Sequence, residues 1–437
     1  MKVVVVYPYY QGHGAPGHSL IHELAQHLAA GGHEITVIAG ETGYMRRERP
    51  TLPWYRRLLR REQAGGVRVV RTFTYAELHR SYRGRLLSFL SFSLSGPLAL
   101  LTAPRPEVVL LTSPPLFPMF AAGLVCRLRR LPFVLEVRDL WPASAVQLGI
   151  VHHRALIAIM AGMEGWLYRR ARRIVALTEG IRADIAARGW PLEKMDFIPC
   201  GVDLALIHPD PAGAAAIRAR HGWEGRRIAL YFGALGEANN LPVVLRAAAR
   251  LRGHPGLLFV LVGDGMKRQA LEEERQAQGL DNVQILPPVP KEEARFYLSA
   301  ADVCLVTLRD IPLFAGAIPT KLIDALACAR PVLCGVRGEA QRIVEEAGAG
   351  WCFAPDDDRQ LSELILALIG PGAEGGQETE DGPAAAAARM GQRGLALARE
   401  RYAAPIMRQR WEGVLRAAAG LPAPLGGAGA AHEGPGT

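Results

Sequence analysis

Lys321 and Asp324 are two charged residues whose spacing suits the binding of a phosphorylated ligand. They follow Pro319 within the run Gly316-Ala-Ile-Pro-Thr-Lys-Leu-Ile-Asp324, and proline is favoured in the first turn of a helix. Residues three apart share one helix face, so both side chains are predicted to lie together near the helix N-terminus. That end of a helix and an ammonium group attract phosphate, whereas a carboxylate accepts hydrogen bonds from ribose hydroxyls. A helix-start ion pair without a ligand is the structural alternative.

Three glycine-rich loops follow predicted strands and add to this chemistry. They are Gly12-His-Gly-Ala-Pro-Gly17, Tyr231-Phe-Gly-Ala-Leu-Gly236 and Leu261-Val-Gly-Asp-Gly-Met-Lys267. Glycines allow backbone N–H groups and helix N-termini to approach an anion closely. The loops therefore predict phosphate-facing backbone at the carboxyl ends of strands.

The loop that contains Gly14 and Gly17 can be interpreted in three ways. It matches GxGxxG, the pattern of dinucleotide-binding sites, but the expected acidic residue is poorly placed because Glu34 precedes the second predicted strand. A second reading is a turn that binds no ligand. We favour a loop that faces a cleft and packs against a diphosphate held by the other half of the chain.

Arg138 and Asp139 end the buried run Phe133-Val-Leu-Glu-Val-Arg-Asp-Leu-Trp-Pro142. Open α/β sheets bind their ligands at the carboxyl ends of strands, and a charge in such a position is costly without a partner or a function. Asp139 is therefore a candidate catalytic or binding residue. An ion pair between Arg138 and Asp139 that braces the loop is the alternative.

Short apolar runs alternate with longer Ala-, Leu- and Arg-rich segments of helical period, which predicts parallel α/β sheets. In the first half, strands are predicted at 3–7, 34–39, 67–72, 108–112, 133–137, 173–177 and 194–198. In the second half, they are predicted at 228–232, 257–262, 283–286, 303–306 and 331–334. Helices are predicted between them, for example at 19–30, 241–251 and 267–278.

Two doubly wound, Rossmann-like domains that face a cleft follow from this alternation. We predict a first domain at 1–205 and a second at 206–389, with a flexible Gly/Glu/Ala-rich insert at 370–388. One or two helices at 390–419 would close the chain, and 420–437 would be a disordered tail.

The positive charge of the chain lies in its first half. The first 205 residues contain 26 Lys and Arg against 15 Asp and Glu, whereas the rest contain 25 against 27. Such a distribution suits a polyanion, an anionic membrane surface or a diphosphate-bearing acceptor, or it is simply a solubilising surface. Nucleic acid is disfavoured, because no zinc-finger, basic-zipper or aromatic RNA-binding signature accompanies the charge.

The expected location is the cytoplasm, with peripheral association at the inner face of the cell membrane. Six cysteines are scattered singly, which indicates buried free thiols in a reducing compartment. No signal peptide is evident at the N-terminus. The most apolar stretch, 86–103, is broken by serines and by Gly96-Pro97, so no bilayer span is expected. No metal site is expected either, since Asp356-Asp357-Asp358 resembles a helix cap.

An ordered set of motifs carries a family resemblance. The set comprises the first glycine loop and then GHEITVIAG, VRDLWP, LTEGI, IPCGVD, YFGALG, LVGDG, ADVCLV and IPTKLIDALACARPVLCG. In this order the motifs resemble family 4 of the retaining GT-B glycosyltransferases, and in particular the branch of N-acetyl-L-fucosamine transferases that act in O-antigen and capsule assembly.

The resemblance implies a nucleotide-sugar donor, with UDP favoured, and a glycan or lipid-diphosphate-linked acceptor, without any cofactor. It implies a catalytic role for Asp139 and Lys321. It also implies a set of residues beside the donor: Gly14, Gly17, Gly233, Gly263, Lys267, Val289, Gly316, Ala317, Ile318, Lys321 and Asp324. Asp324 takes the place of the second Glu of the family's Glu-x7-Glu motif, on the ribose.

The chain departs from the family pattern at three positions. Gly316 stands where the first Glu of the motif is usual, and Ala234 and Asn239 or its neighbours replace the usual Arg and Lys after the glycine loop. Two other functions stay open, and the departure at Gly316 makes the second of them conceivable. One is a UDP-sugar epimerase of the same fold, and the other is a catalytically silent glycan-binding subunit.

Overall fold

The computed structural model describes residues 1–11, 20–41, 58–75, 82–369 and 382–422. Within these ranges the chain forms two sheets, each flanked by helices. The predicted loop with Gly14 and Gly17 and the predicted tail from residue 423 onward lie outside the described residues.

The first sheet has eight strands in the order β3-β4-β2-β1-β5-β6-β7-β8. All neighbouring strands are parallel except β3 and β4. The strands are β1 Lys2–Val6, β2 Glu34–Ala39, β3 Leu59–Ala64, β4 Val67–Thr72, β5 Val108–Ser113, β6 Phe133–Val137, β7 Arg173–Ala176 and β8 Met195–Phe197.

The second sheet has six parallel strands in the order β11-β10-β9-β12-β13-β14. They are β9 Arg227–Phe232, β10 Leu257–Val262, β11 Val283–Leu286, β12 Val303–Thr307, β13 Val332–Gly335 and β14 Gly350–Cys352. Central strands of both sheets, such as Leu257–Val262, are buried on both faces, which is why they appear as unbroken apolar runs in the sequence.

Fifteen helices of the described residues connect and cover the strands. They are α1 Leu20–Ala30, α2 Tyr82–Thr102, α3 Leu116–Leu128, α4 Ala143–Gln147, α5 Arg154–Arg170, α6 Glu179–Ala187, α7 Pro211–His221, α8 Pro242–Arg250, α9 Arg268–Ala277, α10 Lys291–Ala300, α11 Thr320–Ala327, α12 Glu339–Ala347, α13 Asp358–Ile369, α14 Pro383–Arg401 and α15 Ala404–Ala419.

The predicted alternation is confirmed, but two strands were not predicted. Strand β3 is a charged, exposed edge strand with the sequence LRREQA, and it is antiparallel to β4. Because neither face of β3 is buried, its sequence shows no alternation of apolar and polar residues that would predict a strand. Strand β14 has only three residues and carries too little periodicity to be recognised.

Two predictions about helices are wrong. The predicted flexible insert 370–388 lies outside the described residues as far as residue 381, and its predicted end is too late, because α14 already begins at Pro383, with the proline in the first turn where it is tolerated. The Gly96-Pro97 break does not form either, since α2 continues through Pro97. Burial of Phe92 and Leu100 on one side of α2 holds the helix against the sheet, and such packing overrides local propensity. No helix of the described ranges is long and apolar enough to cross a bilayer.

The two closing helices divide between the two domains. Ala398 of α14 is buried in the core of the second domain. By contrast, Trp411 and Leu415 of α15 are buried with Val3 and Val5 of the first sheet. The chain crosses between the domains near Val202, whose N–H donates to the carbonyl of Tyr402 at 2.8 Å.

Candidate active site

A cleft of about 820 Å³ lies between the carboxyl ends of the two sheets. The first domain lines it with residues that follow β1, β6 and β7, among them Tyr7, Asp139 and Thr178. The second domain lines it with residues that follow β9 and β10 and with the start of α11. Ligands of open α/β sheets bind at this edge, so the cleft is the candidate active site.

The two glycine loops of the second domain form one wall of the cleft. Gly233 follows β9 with φ of 150°, and Gly263 follows β10 with φ of 156°, values that favour glycine. A Cβ on Gly263 would lie 1.8 Å from the carbonyl oxygen of Gly233. Glycine is therefore required here for the two loops to approach each other, and the backbone is left open to the cleft.

Lys321 extends from the first turn of α11 to the Gly233 loop. Its Nζ donates to the Tyr231 hydroxyl at 2.5 Å and to Asn239 Oδ1 at 2.7 Å. The Nζ also lies 4.2 Å from the centroid of the Tyr231 ring, within the range of a cation–π contact. Burial lowers the pKa of Lys321 to about 7. The amine is thus held rigidly beside the loop on which a phosphate is predicted to bind.

The partners of Lys321 were not predicted as functional residues. The resemblance places the missing Lys at Asn239 or its neighbours, and in the structure Asn239 Oδ1 accepts a hydrogen bond from the amine of Lys321. The Tyr231 hydroxyl donates a hydrogen bond to the carbonyl oxygen of Ala234 at 2.7 Å. The amine of Lys321 in α11 therefore lies beside a loop, 233–240, that has no Lys or Arg of its own. The departure at Asn239 was the available signal.

Asp324 lines the cleft one turn further along α11. The predicted alternative, an ion pair with Lys321, does not form, because Lys321 donates to Tyr231 and Asn239 instead. Burial raises the pKa of Asp324, and the positive charge of Lys291 partly opposes this shift. Lys291 also pairs with Glu23 of α1 at 3.2 Å, so this part of the cleft carries charges from both domains.

Arg138 and Asp139 do not form an ion pair with each other either. Arg138 Nη2 donates to Glu136 at 3.0 Å, and its guanidinium lies 5.6 Å from the ring centroid of Tyr7. Asp139 lines the cleft. Burial raises its pKa, although the neighbouring Ser144 and Leu140 favour the charged form. Both side chains remain at the strand end that the sequence predicts.

The structure brings most of the predicted donor-binding residues together. Besides Lys321 and Asp324, the cleft is lined by Gly233, Gly263, Val289, Gly316, Ala317 and Ile318. Lys267 does not line it. Its Nζ pairs with Glu237 at 2.6 Å, and about half of its side chain is exposed. Gly14 and Gly17 lie outside the described residues.

The acidic triplet has the structural role that the sequence indicates. Asp357 Oδ1 accepts from the N–H of Gln360 at 2.8 Å and so caps α13, while Asp358 accepts from Arg246 at 3.0 Å. Among the residues that the structure describes, no cluster of three or more His, Cys, Asp or Glu could hold a metal ion.

Two family models match the chain, one on each domain. Residues 18–201 match the glycosyl transferase 4-like domain, and residues 214–372 match glycosyl transferases group 1. The chain is a glycosyltransferase. The matched residues include Asp139, Gly233 and Lys321, all of which line the cleft.

Two curated relatives of this glycosyltransferase are also named as glycosyltransferases. It is 26% identical over 300 residues to "Probable glycosyltransferase WbjE" of Pseudomonas aeruginosa, which covers 65% of this chain and 73% of the relative. It is also 26% identical over 317 residues to "Putative colanic acid biosynthesis glycosyl transferase WcaI" of Escherichia coli, which covers 70% and 76%.

Solved structures identify the fold of the glycosyltransferase. A sucrose-phosphate synthase from Thermosynechococcus elongatus matches with a TM-score of 0.71 and 18% identity, over 95% of this chain and 98% of the other. The Anabaena protein HepE in complex with UDP-glucose matches with a TM-score of 0.69 and 16% identity, over 95% and 100%. The predicted GT-B fold, with two Rossmann-like domains that face a cleft, is confirmed, as is the predicted class of enzyme.

Proposed function

We propose that this glycosyltransferase moves a sugar from a UDP-linked donor to a hydroxyl of a glycan or lipid-diphosphate-linked acceptor, with retention at the anomeric carbon. The observation that carries the proposal is the position of Lys321, beside the Gly233 loop at the N-terminus of α11 and one turn from Asp324. The name of the colanic acid relative supports a role in cell-surface polysaccharide synthesis, and the UDP-glucose complex of a protein with the same fold supports the choice of nucleotide.

The proposed reaction depends on the stabilisation of the leaving group. The bond between the anomeric carbon and the diphosphate oxygen breaks, and negative charge grows on the diphosphate. The Lys321 ammonium and the free N–H groups at the start of α11 would face this charge. The acceptor oxygen then bonds to the anomeric carbon on the same face, and its proton passes to the leaving phosphate oxygen. Asp324 would hold the ribose, and Asp139 would face the reacting sugar from the first domain.

This scheme uses neither a cofactor nor a metal ion. In a metal-dependent transferase a divalent cation neutralises the leaving diphosphate. Here that charge would be met by the buried amine of Lys321 and by the helix N-terminus.

The sugar of the donor is proposed to be of the N-acetyl-L-fucosamine type, in line with the branch that the motifs resemble. Pro312, Leu313, Phe314 and Ile318 line the cleft, and the usual carboxylate is replaced by Gly316. Such a wall suits a sugar that presents methyl groups rather than an extra hydroxyl, because a buried hydroxyl without a partner is costly.

A lipid-linked acceptor requires an enzyme that reaches the membrane surface, and α2 offers a suitable face. Exposed leucines lie along it, and from Leu87 onward they recur every three or four residues: Leu86, Leu87, Leu90, Leu94, Leu98 and Leu101. The adjacent helix α3 adds exposed Leu124 and Leu128. Neither helix contains Asp or Glu. We propose that this face, termed the leucine face, binds the inner surface of the cell membrane.

Product analysis tests the proposed function. The protein is incubated with a panel of UDP-sugars that includes UDP-linked N-acetylamino-6-deoxy sugars, with and without lipid-diphosphate-linked acceptors. We expect release of UDP that depends on the acceptor, and a product whose anomeric configuration, measured by NMR, equals that of the donor. Conversion of the UDP-sugar without an acceptor would instead indicate an epimerase. Nucleotide binding without turnover would indicate a silent binding subunit.

A further inference from the structure

The two domains touch directly at Gly180 and Gly316, on one side of the cleft. Gly180 is the second residue of α6 in the first domain, and Gly316 ends the single-turn helix Pro312–Gly316 in the second domain. A Cβ on Gly180 would lie 2.3 Å from the Cα of Gly316, and one on Gly316 would lie 2.9 Å from the Cα of Gly180. Only glycine fits on both sides of this contact.

The carboxylate of Glu339 bridges the domains at the same place. Glu339 is the first residue of α12 in the second domain, yet it accepts from the N–H of Glu179 at 3.1 Å and from the N–H of Gly180 at 2.9 Å. These are first-turn N–H groups of α6, which have no partner within their own helix. The Thr178 hydroxyl accepts from the next one at 3.0 Å. A carboxylate at a helix N-terminus is also favoured by the helix dipole.

The loop before Glu339 supports the wall of the cleft. A Cβ on Gly338 would lie 2.1 Å from the carbonyl oxygen of Ala315, so this loop packs tightly on the turn that ends at Gly316. On the other side of the turn, the N–H of Leu313 donates to Gln147 of α4 in the first domain at 3.1 Å. The cleft-lining turn is thus clamped between the Glu339 loop and the first domain.

We infer that Glu339 is a positioning residue that closes the cleft and fixes its wall at Leu313 and Gly316. Glu339 is 7% exposed and does not line the cleft, so it would act without touching the substrate. Gly316 lacks the carboxylate usual at this position, and this allows Gly180 of the first domain to contact it when the cleft is closed. The inference rests on a donor that occupies the cleft, as proposed above. Closure excludes water and so favours transfer over hydrolysis of the donor.

Two variants with different chemistry test this role. Glu339→Ala removes the carboxylate, and Gly180→Ala removes no polar group but places a methyl group against Gly316. Glu346→Ala, an exposed residue of the same helix, is the control. We expect both test variants to have a larger radius of gyration by small-angle scattering than wild type, measured with and without saturating UDP. We also expect donor hydrolysis to rise relative to transfer in both variants, and by about tenfold in Glu339→Ala, as suits the loss of hydrogen bonds to a charged group.

The conservative variant separates positioning from simple stability. Glu339→Gln keeps one acceptor oxygen and should fall between wild type and Glu339→Ala in both measurements. If Glu339→Ala only lowers the melting temperature, while the scattering and the ratio of hydrolysis to transfer stay at wild-type values, the inference is wrong. The scattering comparison holds whichever nucleotide is the donor. A wild-type protein that turns over no UDP-sugar would therefore contradict the proposed donor and leave this test intact.

Discussion

The Lys321 amine is fixed in the cleft by Tyr231, Asn239 and the backbone of the Gly233 loop. A charge held in advance at the position where negative charge develops stabilises the transition state more than the ground state. We therefore expect Lys321→Ala to lower kcat by about 10², with a smaller rise in the donor KM. Asp324→Ala should act mainly through KM, because the ribose is remote from the reacting carbon. Steady-state kinetics beside thermal melts measures both effects.

Lys267→Ala is the matched control for Lys321. Its ammonium also follows a glycine loop, but it pairs with Glu237 outside the cleft. We expect near wild-type kinetics for this variant. A purely structural role of Lys321 would instead change stability by roughly 1 kcal/mol or less and leave turnover intact. Normal turnover in a folded Lys321→Ala protein would contradict the proposal that Lys321 contacts the leaving diphosphate.

Burial of Lys321 predicts that donor binding takes up protons. Its pKa is lowered to about 7 in the free enzyme, so at pH 8 most molecules carry the neutral amine. A diphosphate beside the amine favours the charged form and raises this pKa. UDP should therefore bind more weakly as the pH rises above about 7, with net proton uptake at pH 8. Isothermal titration calorimetry in two buffers of different ionisation enthalpy measures the uptake.

The neighbouring groups do not mask this signal. Burial raises the pKa of Tyr231 well above its ordinary value, and Asn239 does not titrate. The Lys321→Ala protein should bind UDP with little proton uptake. Equal uptake by the variant and the wild type would assign the proton to another group.

At the scale of elements, the leucine face of α2 makes the membrane proposal testable. Leu94 is 77% exposed and Leu98 is 61% exposed. Burial of leucine side chains in the lipid interface contributes roughly 1.5 to 3 kcal/mol each. We expect Leu94→Ser and Leu98→Ser together to weaken binding to anionic vesicles by at least about tenfold. Vesicle flotation measures the bound fraction.

A leucine of similar exposure elsewhere in the first domain serves as the control. Leu192 is 55% exposed and lies outside α2 and α3, so Leu192→Ser should bind vesicles like wild type. Failure of the wild type to float with anionic vesicles, or equal flotation of the wild type and the Leu94→Ser, Leu98→Ser variant, would exclude the proposed membrane contact.

Apolar periodicity predicted those elements whose own residues are buried. Strands such as β10, with the sequence LLFVLV, carry an unbroken buried run that identifies them directly. The exposed edge strand β3 and the three-residue strand β14 have no such run. The path of α2 through Pro97 depends on its packing against the sheet, which no local pattern records.

The sequence predicted the candidate site only in part, because it records local spacing but not contacts between distant residues. Lys321 and Asp324 share one helix turn, so their proximity follows from spacing. The contact of Lys321 with Tyr231 joins residues 90 positions apart, and that of Glu339 with Gly180 joins residues 159 apart. Such pairs are set by how the two sheets and their helices pack, which a single sequence does not reveal.

At the scale of the whole molecule, the proposed chemistry predicts activity without divalent metal. Both domains contribute polar groups to the cleft, and the positive charge proposed to face the leaving diphosphate comes from Lys321 and the start of α11. We expect the rate of sugar transfer to be unchanged, within experimental error, after dialysis against EDTA. A loss of activity that Mg²⁺ or Mn²⁺ restores would contradict the proposed mechanism.

The packing of α15 on the first sheet has a consequence for biosynthesis. Trp411 and Leu415 help to bury the sheet face that includes Leu110 of β5 and Val134 of β6, which are translated well before the second domain. While the ribosome is still translating the second domain, α1 already covers part of this face, but α15 has not yet been made. The first domain to leave the ribosome is therefore the one whose core is completed last. A fragment that stops near Asp203 would leave the part of this face that α15 covers exposed to solvent and to chaperones.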